Sequence, residues 1–263
     1  MLKVRRSRLY TFWFAWYSRR QFRRYFNTVR VFMDPGVQEM DTGIPVVFYG
    51  NHAYWWDGFW SQLCTEEFFC QNLHIIIEYA QLSRYRFFSR LGAFSLDRAN
   101  PRSALRTLDY AAELLCASSK RQNALWIFPQ GRIQHVDQRP LFFYKGTAGI
   151  VSRVLQRTSA IYLVSVVSRI EYLEEQKPEL LLSFRSPQLV RTGECPSARE
   201  LTALMQETTE RHLDGLKNLV MNRSLDAGKV VVSGGESINR KTDRYRELLG
   251  FGKAAPFKPE NGD

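Results

Sequence analysis

Five short, nearly continuous apolar runs, at 44–49, 73–77, 124–128, 161–167 and 180–184, constrain this chain more than any other feature. Strict apolar/polar alternation would indicate a sheet with one wet face; continuous runs of this length suit strands buried on both faces. Between them lie helix signals. Asn100-Pro101 offers an N-cap followed by proline in the first turn, and Ala104, Leu105, Leu108, Ala111, Ala112 and Leu115 then form one apolar face. Ser197 and Glu200 have the spacing of a capping box ahead of Leu201, Leu204, Met205 and Leu213. Strands alternating with core-facing helices predict an α/β fold with a mostly parallel central sheet flanked by helices. At 263 residues the chain accommodates one such domain and an appendage.

The appendage is expected at the N-terminus. Residues 1–33 carry nine Lys or Arg and no acid, interleaved with Tyr10, Phe12, Trp13, Phe14, Trp16, Tyr17, Phe22, Tyr25 and Phe26. Aromatic bodies beside basic heads suit the boundary between lipid head groups and acyl chains, so an interfacial helical segment is predicted here. The alternatives are a helix packed on the domain's own core with a solvated basic face, and, less favoured, a nucleic-acid arm. A net charge of +11 agrees with an anionic membrane surface as partner without selecting it. No run of about 18 apolar residues is present, so no ordinary membrane span is expected and the localisation predicted is peripheral, on the cytoplasmic face. Asp34-Pro35-Gly36 marks a turn, giving expected boundaries of 1–33 for the interfacial segment, 34–250 for the α/β domain and 251–263 for a flexible tail. Cys64, Cys70, Cys116 and Cys195 show neither a disulfide framework nor zinc-ligand spacing, and no metal is expected.

The segment with most chemical content is Gly50-Asn51-His52-Ala53-Tyr54-Trp55-Trp56-Asp57, where a buried strand ends and a helix should begin. In open α/β sheets ligands bind at the carboxyl ends of the strands. Five positions on one helix would turn His52 and Asp57 about 140° apart, so His52 is placed in the turn and Asp57 in the first helical turn, reaching back. A carboxylate bonded to one imidazole nitrogen makes the other the better base. Alone, this spacing more often belongs to a structural histidine. Three further segments change the balance: Gly92-Ala93-Phe94-Ser95-Leu96-Asp97-Arg98, Phe128-Pro129-Gln130-Gly131-Arg132, and the late strand at 161–167.

In their order and spacing these segments resemble the four blocks of the phospholipid/glycerol acyltransferase family, the group of the lysophosphatidic acid acyltransferases. The resemblance spans about 44–170. It implies a fatty-acyl transfer from acyl-CoA or acyl carrier protein, a co-substrate rather than a cofactor, to a lipid hydroxyl. His52 would be the general base and Asp57 its partner, with N–H donors at the oxyanion. The second block would place Arg98 at an anionic group, and Asn51, Gln130, Gly131, Arg132 and Lys145 are the further residues expected to bind substrate. As a hypothesis from the third block, Arg132 pairs with Arg98 at the anion and Gln130 bonds an acceptor hydroxyl, while Lys145 adds a phosphate contact or, equally, is a solvated lysine before a helix. Departures are visible: Gln130 stands where the family usually has Glu, Arg132-Ile133 follows Gly131 in place of Thr-Arg, and 161–167 lacks the usual proline. The expected acceptor is a lysophospholipid or other glycerolipid, the alternative a non-phosphorylated lipid alcohol such as a glycosylated isoprenoid; the rival class is a non-catalytic membrane-binding module. His135 with Asp137 is a weaker second candidate pair, and His74 and His212 read as structural.

Overall fold

In the computed structural model, which describes residues 1–235 together with Tyr245, Leu248 and Leu249, the elements follow in the order α1 Arg8–Tyr25, β1 Thr28–Met33, β2 Val46–Gly50, α2 Asp57–Cys64, β3 Asn72–Glu78, α3 Tyr79–Arg84, β4 Ala93–Leu96, α4 Pro101–Cys116, β5 Asn123–Ile127, α5 Gly146–Leu155, β6 Ala160–Glu171, β7 Glu179–Phe184, β8 Gln188–Arg191, α6 Ala198–Met221 and β9 Lys229–Ser233. All five apolar runs are strands. They join one sheet of order β4-β3-β5-β2-β6-β7-β1-β9, with β8 beside the first half of β6. From β4 to β6 every neighbour is parallel; beyond β6 the sheet is mixed, with β7 antiparallel to β6, β1 parallel to β7 and β9 antiparallel to β1. β6 extends past its apolar run to twelve residues because its second half has its own partner in β7.

Both faces of the sheet are covered, which is why its strands read as continuous apolar runs. Val47, Leu125 and Leu163 pack under α4, α5 and α6, against residues such as Ala112, Val151 and Leu213. Phe48, Trp126 and Val164 face the other way, toward Phe14 and Phe22 of α1 and Phe59 and Trp60 of α2. Phe48 and Trp126 stack at 4.2 Å between centroids in this second layer. The helix caps form as their sequences require: Asn100 accepts from the Ser103 N–H, and Ser197 and Glu200 make both bonds of the capping box.

The N-terminal boundary differs from expectation. Residues 28–33 are not appendage but a strand of the sheet, paired along its whole length with β7. Arg30 interrupts its apolar pattern; its Nη1 donates to the carbonyls of Leu225 and Gly228 at 3.1 and 3.2 Å, and its Nε lies 3.6 Å from Glu179 Oε2. Residues ahead of α1 run extended along the other edge, where Ser95 N–H donates to the Leu2 carbonyl and Ser7 N–H to that of Arg90. Helix α1 therefore has sheet-bound segments at both ends. Its buried residues Phe14, Ser18 and Phe22 recur every four positions, while Leu9, Phe12, Trp13 and Trp16 form a second stripe left exposed. The expected tail at 251–263 lies outside the described residues.

Gly50 ends β2 immediately before the segment with the candidate base. A Cβ there would lie 1.7 Å from the Val166 carbonyl oxygen of the neighbouring strand. Only glycine allows β2 and β6 this approach. Gly50→Ala is expected to cost at least the about 1–3 kcal/mol typical of overpacking, a fall in Tm of roughly 2–10 °C, and more if the strands cannot separate. A thermal melt within 1 °C of the parent protein contradicts this packing.

Two histidines are buried as neutral groups. His212 of α6 bonds Ser165 Oγ at 3.0 Å and Ser183 Oγ at 2.8 Å, and burial, aided by Arg185, holds its pKa down to about 3. Burial, aided by Arg6, does the same to His74, also to about 3. Unfolded, both titrate near 6.5, so between about 6.5 and 3 unfolding takes up protons and stability rises with pH. Their contribution is complete above about pH 6.5 and lost as pH falls toward 3. Chemical denaturation should show a flat midpoint above pH 7 and a falling one from 6.5 to 5; a flat profile through 5 contradicts the neutral burial of this pair.

Candidate active site

Strand β2 delivers Asn51 and His52 to the carboxyl edge of the sheet, and α2 begins five residues later with Asp57. The turn between them is held from several sides. Asn51, 2% exposed, bridges to the next strand: its amide donates to the Ser168 carbonyl at 3.1 Å and accepts from the Ser168 N–H at 2.9 Å. Asp57 is fully buried and surrounded by donors. Its Oδ2 accepts from the N–H groups of Ala53 and Tyr54, both at 3.1 Å, and lies 2.7 Å from His52 Nδ1. Its Oδ1 accepts from Trp60 Nε1 at 2.8 Å and Ser168 Oγ at 3.3 Å. A carboxylate taken from water costs several kcal/mol unless such donors replace the hydration shell, and here five do.

Because the carboxylate only accepts, the proton of the neutral imidazole sits on Nδ1 and Nε2 is the basic nitrogen. The ring is held flat against Phe128, at 4.9 Å between centroids and 21° between planes. Its backbone is fixed as well: the His52 N–H donates to Gln130 Oε1 at 2.6 Å, and the His52 carbonyl accepts from the Gln134 N–H at 2.9 Å. Gln130 in turn donates from Nε2 to Gln134 Oε1.

His52 opens into a cleft of about 1080 Å³. Tyr10, Trp13 and Tyr17 of α1, Trp55, Phe87, Phe88, the β3 residues Ile75 and Ile77, and Leu105 and Leu108 of α4 make it strongly apolar. Among the described residues that line it, Glu78, Arg98 and Arg132 carry charge. Gly131 has φ +66 and leaves room for Arg98: a Cβ on it would come within 2.3 Å of the guanidinium. The mouth carries exposed Trp13, Trp55, Tyr85, Phe87, Leu105 and Ile133.

Of the eight residues expected at the site, His52, Asp57, Arg98, Gly131 and Arg132 converge at this cleft, with Asp57 behind His52. Three do not face it. Asn51 clasps β6, Gln130 is 2% exposed with its amide turned to His52 and Gln134 rather than to an acceptor hydroxyl, and Lys145 lines a separate depression beside Arg199, Glu207 and Glu210. Arg98 is not a lone cation either; its Nε and Nη2 lie 2.9 and 2.8 Å from Glu78 Oε2. Asp137 does not pair with His135 as an acid/base couple. It is bridged by Arg169 at 2.8 Å and Lys217 at 3.3 Å, and the hydrogen bond from Arg169 holds its carboxyl down to about 2. Among the described residues no group of three or more His, Cys, Asp or Glu could hold a metal ion.

Residues 32–169, more than half of the chain, match the profile of the family described as Acyltransferase. The chain belongs to the acyltransferase family. The matched span holds the whole His52–Asp57 turn, the Arg98 segment, the Gln130–Arg132 loop and Ser168. No curated protein matches this acyltransferase significantly. Among solved structures it is similar to the 1-acyl-sn-glycerophosphate (LPA) acyltransferase PlsC from Thermotoga maritima, at 14% identity over 79% of each chain with a TM-score of 0.49.

Proposed function

We propose that this acyltransferase moves a fatty-acyl group from an acyl thioester, acyl-CoA or acyl carrier protein, to a hydroxyl of a lysophospholipid or other glycerolipid, with His52 as general base. Its main support is the pairing of His52 Nδ1 with the buried Asp57 carboxylate at the foot of an apolar cleft. In the reaction, His52 Nε2 takes the acceptor's hydroxyl proton as that oxygen attacks the thioester carbonyl carbon. The tetrahedral intermediate collapses with loss of the C–S bond, and the imidazolium returns its proton to the departing thiolate. An ester and a free thiol result, with no acyl group on the protein. The apolar walls suit an acyl chain, since about 0.8 kcal/mol accompanies each CH₂ removed from water. Thiol release from acyl-CoA, measured across a panel of lysolipids, tests the proposal: release that depends on acceptor supports it, and thiol release that no acceptor stimulates overturns it.

The same reading places the protein peripherally on an anionic, cytoplasmic membrane face. Among the described residues no helix is long and apolar enough to cross a membrane. The exposed stripe of α1 runs beside the cleft mouth, with Phe12 79% and Trp16 57% exposed on a helix that also presents Arg20, Arg23 and Arg24 to solvent. Aromatics buried at the head-group boundary and arginines attracted by anionic lipid reinforce one another. Exchanging Phe12 and Trp16 together for alanine should weaken binding to anionic vesicles at least tenfold, from the about 1.5–3 kcal/mol of a buried large side chain, with an unchanged melt. Undiminished vesicle binding would place the docking surface elsewhere.

A further inference from the structure

The cleft's charge arrangement points to a narrower acceptor class, an inference that rests on the acyl-transfer reading above. Glu78 is the last residue of β3 and Arg98 lies two residues past β4; because these strands are parallel neighbours with Glu78 opposite Leu96, the fold brings the two side chains to one edge. Both the Nε and Nη2 of Arg98 turn to Glu78 Oε2, at 2.9 and 2.8 Å. The rest of the guanidinium lies over the Tyr144 ring, 5.7 Å from its centroid, and against Gly131. Arg98 is thus held by a carboxylate, a ring and a turn. Arg132, next to Gly131 and exposed at the cleft, has no ion-pair partner among the described residues. With Glu78 neutralising Arg98, one positive charge remains on the lining.

We infer that Glu78 is a specificity-determining residue that turns the cleft away from phosphate monoesters, and that the acceptor is a lysolipid whose head group is a phosphodiester seated at Arg132. A monoester carries about −1.5 to −2 at neutral pH. At Arg98 it would meet the Glu78 carboxylate at close range, a like-charge contact. At Arg132 alone it would leave charge uncompensated. A phosphodiester carries one negative charge, which a single guanidinium balances and can bind through two parallel N–H donors.

The test uses the full chain, one acyl-CoA and three acceptors with the same single acyl chain: a lysophosphatidate (monoester), a lysophosphatidylcholine (diester) and a monoacylglycerol (no phosphate). The wild-type protein is expected to favour diester over monoester by tenfold or more in kcat/KM. Glu78→Gln should move that ratio at least tenfold toward the monoester, and Arg132→Ala should lower the diester about tenfold while affecting the monoacylglycerol much less. A wild-type preference for the monoester overturns the inference. So does a Glu78→Gln protein that loses activity on all three acceptors alike, which would make Glu78 merely structural, or a preference for monoacylglycerol with Arg132→Ala indifferent. Thiol release with an unshifted ratio defeats this inference alone; no acceptor-dependent release with any of the three defeats the acyl-transfer reading as well.

Discussion

His52→Ala is expected to lower acyl transfer by about 10²–10⁴-fold, with a circular dichroism spectrum and melting temperature close to those of the parent protein. The range is that of a general base removed from a reaction whose other components remain. Fold retention is expected because the ring is part-exposed and, among the described residues, its one polar side-chain contact is Asp57, which keeps four other donors. The loss should appear in kcat for every acceptor, since proton removal is common to them all, whereas loss of a head-group contact would be acceptor-specific. A folded His52→Ala protein with near-normal turnover contradicts the role given to this residue.

Asp57→Asn is expected to reduce turnover by a comparable about 10²–10⁴-fold, for a different reason. One carboxylate oxygen faces His52 Nδ1 and the N–H groups of Ala53 and Tyr54, the other Trp60 Nε1 and Ser168 Oγ. An asparagine must turn its NH₂ toward one of these sets. Turned to His52, it favours the imidazole with its proton on Nε2, which can no longer act as base; turned to Trp60, it sets donor against donor in a fully buried site. Either way a lost charge-assisted bond is worth about 1.5–3 kcal/mol, so a moderate fall in stability accompanies the loss of activity. Activity within threefold of wild type would show that Asp57 neither orients the imidazole nor sets its tautomer.

The His52–Asp57 pair was legible in the sequence because its geometry is local: a strand end, a short turn and the first residue of a helix are all encoded within eight positions. The parallel half of the sheet was legible for a related reason, in that burial on both faces leaves an uninterrupted apolar run. What escaped depends on pairings far apart in the chain. Gln130 reads as a substrate ligand until the loop after β5 is folded against the His52 backbone, 78 positions away. Ser168 and Trp60 complete the Asp57 site from β6 and from three residues further along α2, and neither residue type announces such a role. Glu78 had a usable signal: as the residue ending an apolar run it had to reach the same edge as Arg98, once β3 and β4 are parallel neighbours. β1 was hidden by Arg30 within a basic, aromatic stretch whose composition spoke of membranes, and α1 proved to have both a core face and an exposed one.

The most direct test of direct acyl transfer with His52 as base is rapid-mixing thiol release from acyl-CoA with enzyme and donor at comparable concentrations, with and without a lysolipid acceptor, read alongside the intact protein mass. Without acceptor, no thiol burst and no acylated protein are expected; with acceptor, one thiol should appear per ester formed, and the His52→Ala protein should show neither. A burst equal to the enzyme concentration with a protein heavier by one acyl group, or thiol release without ester, contradicts direct transfer to a lipid hydroxyl.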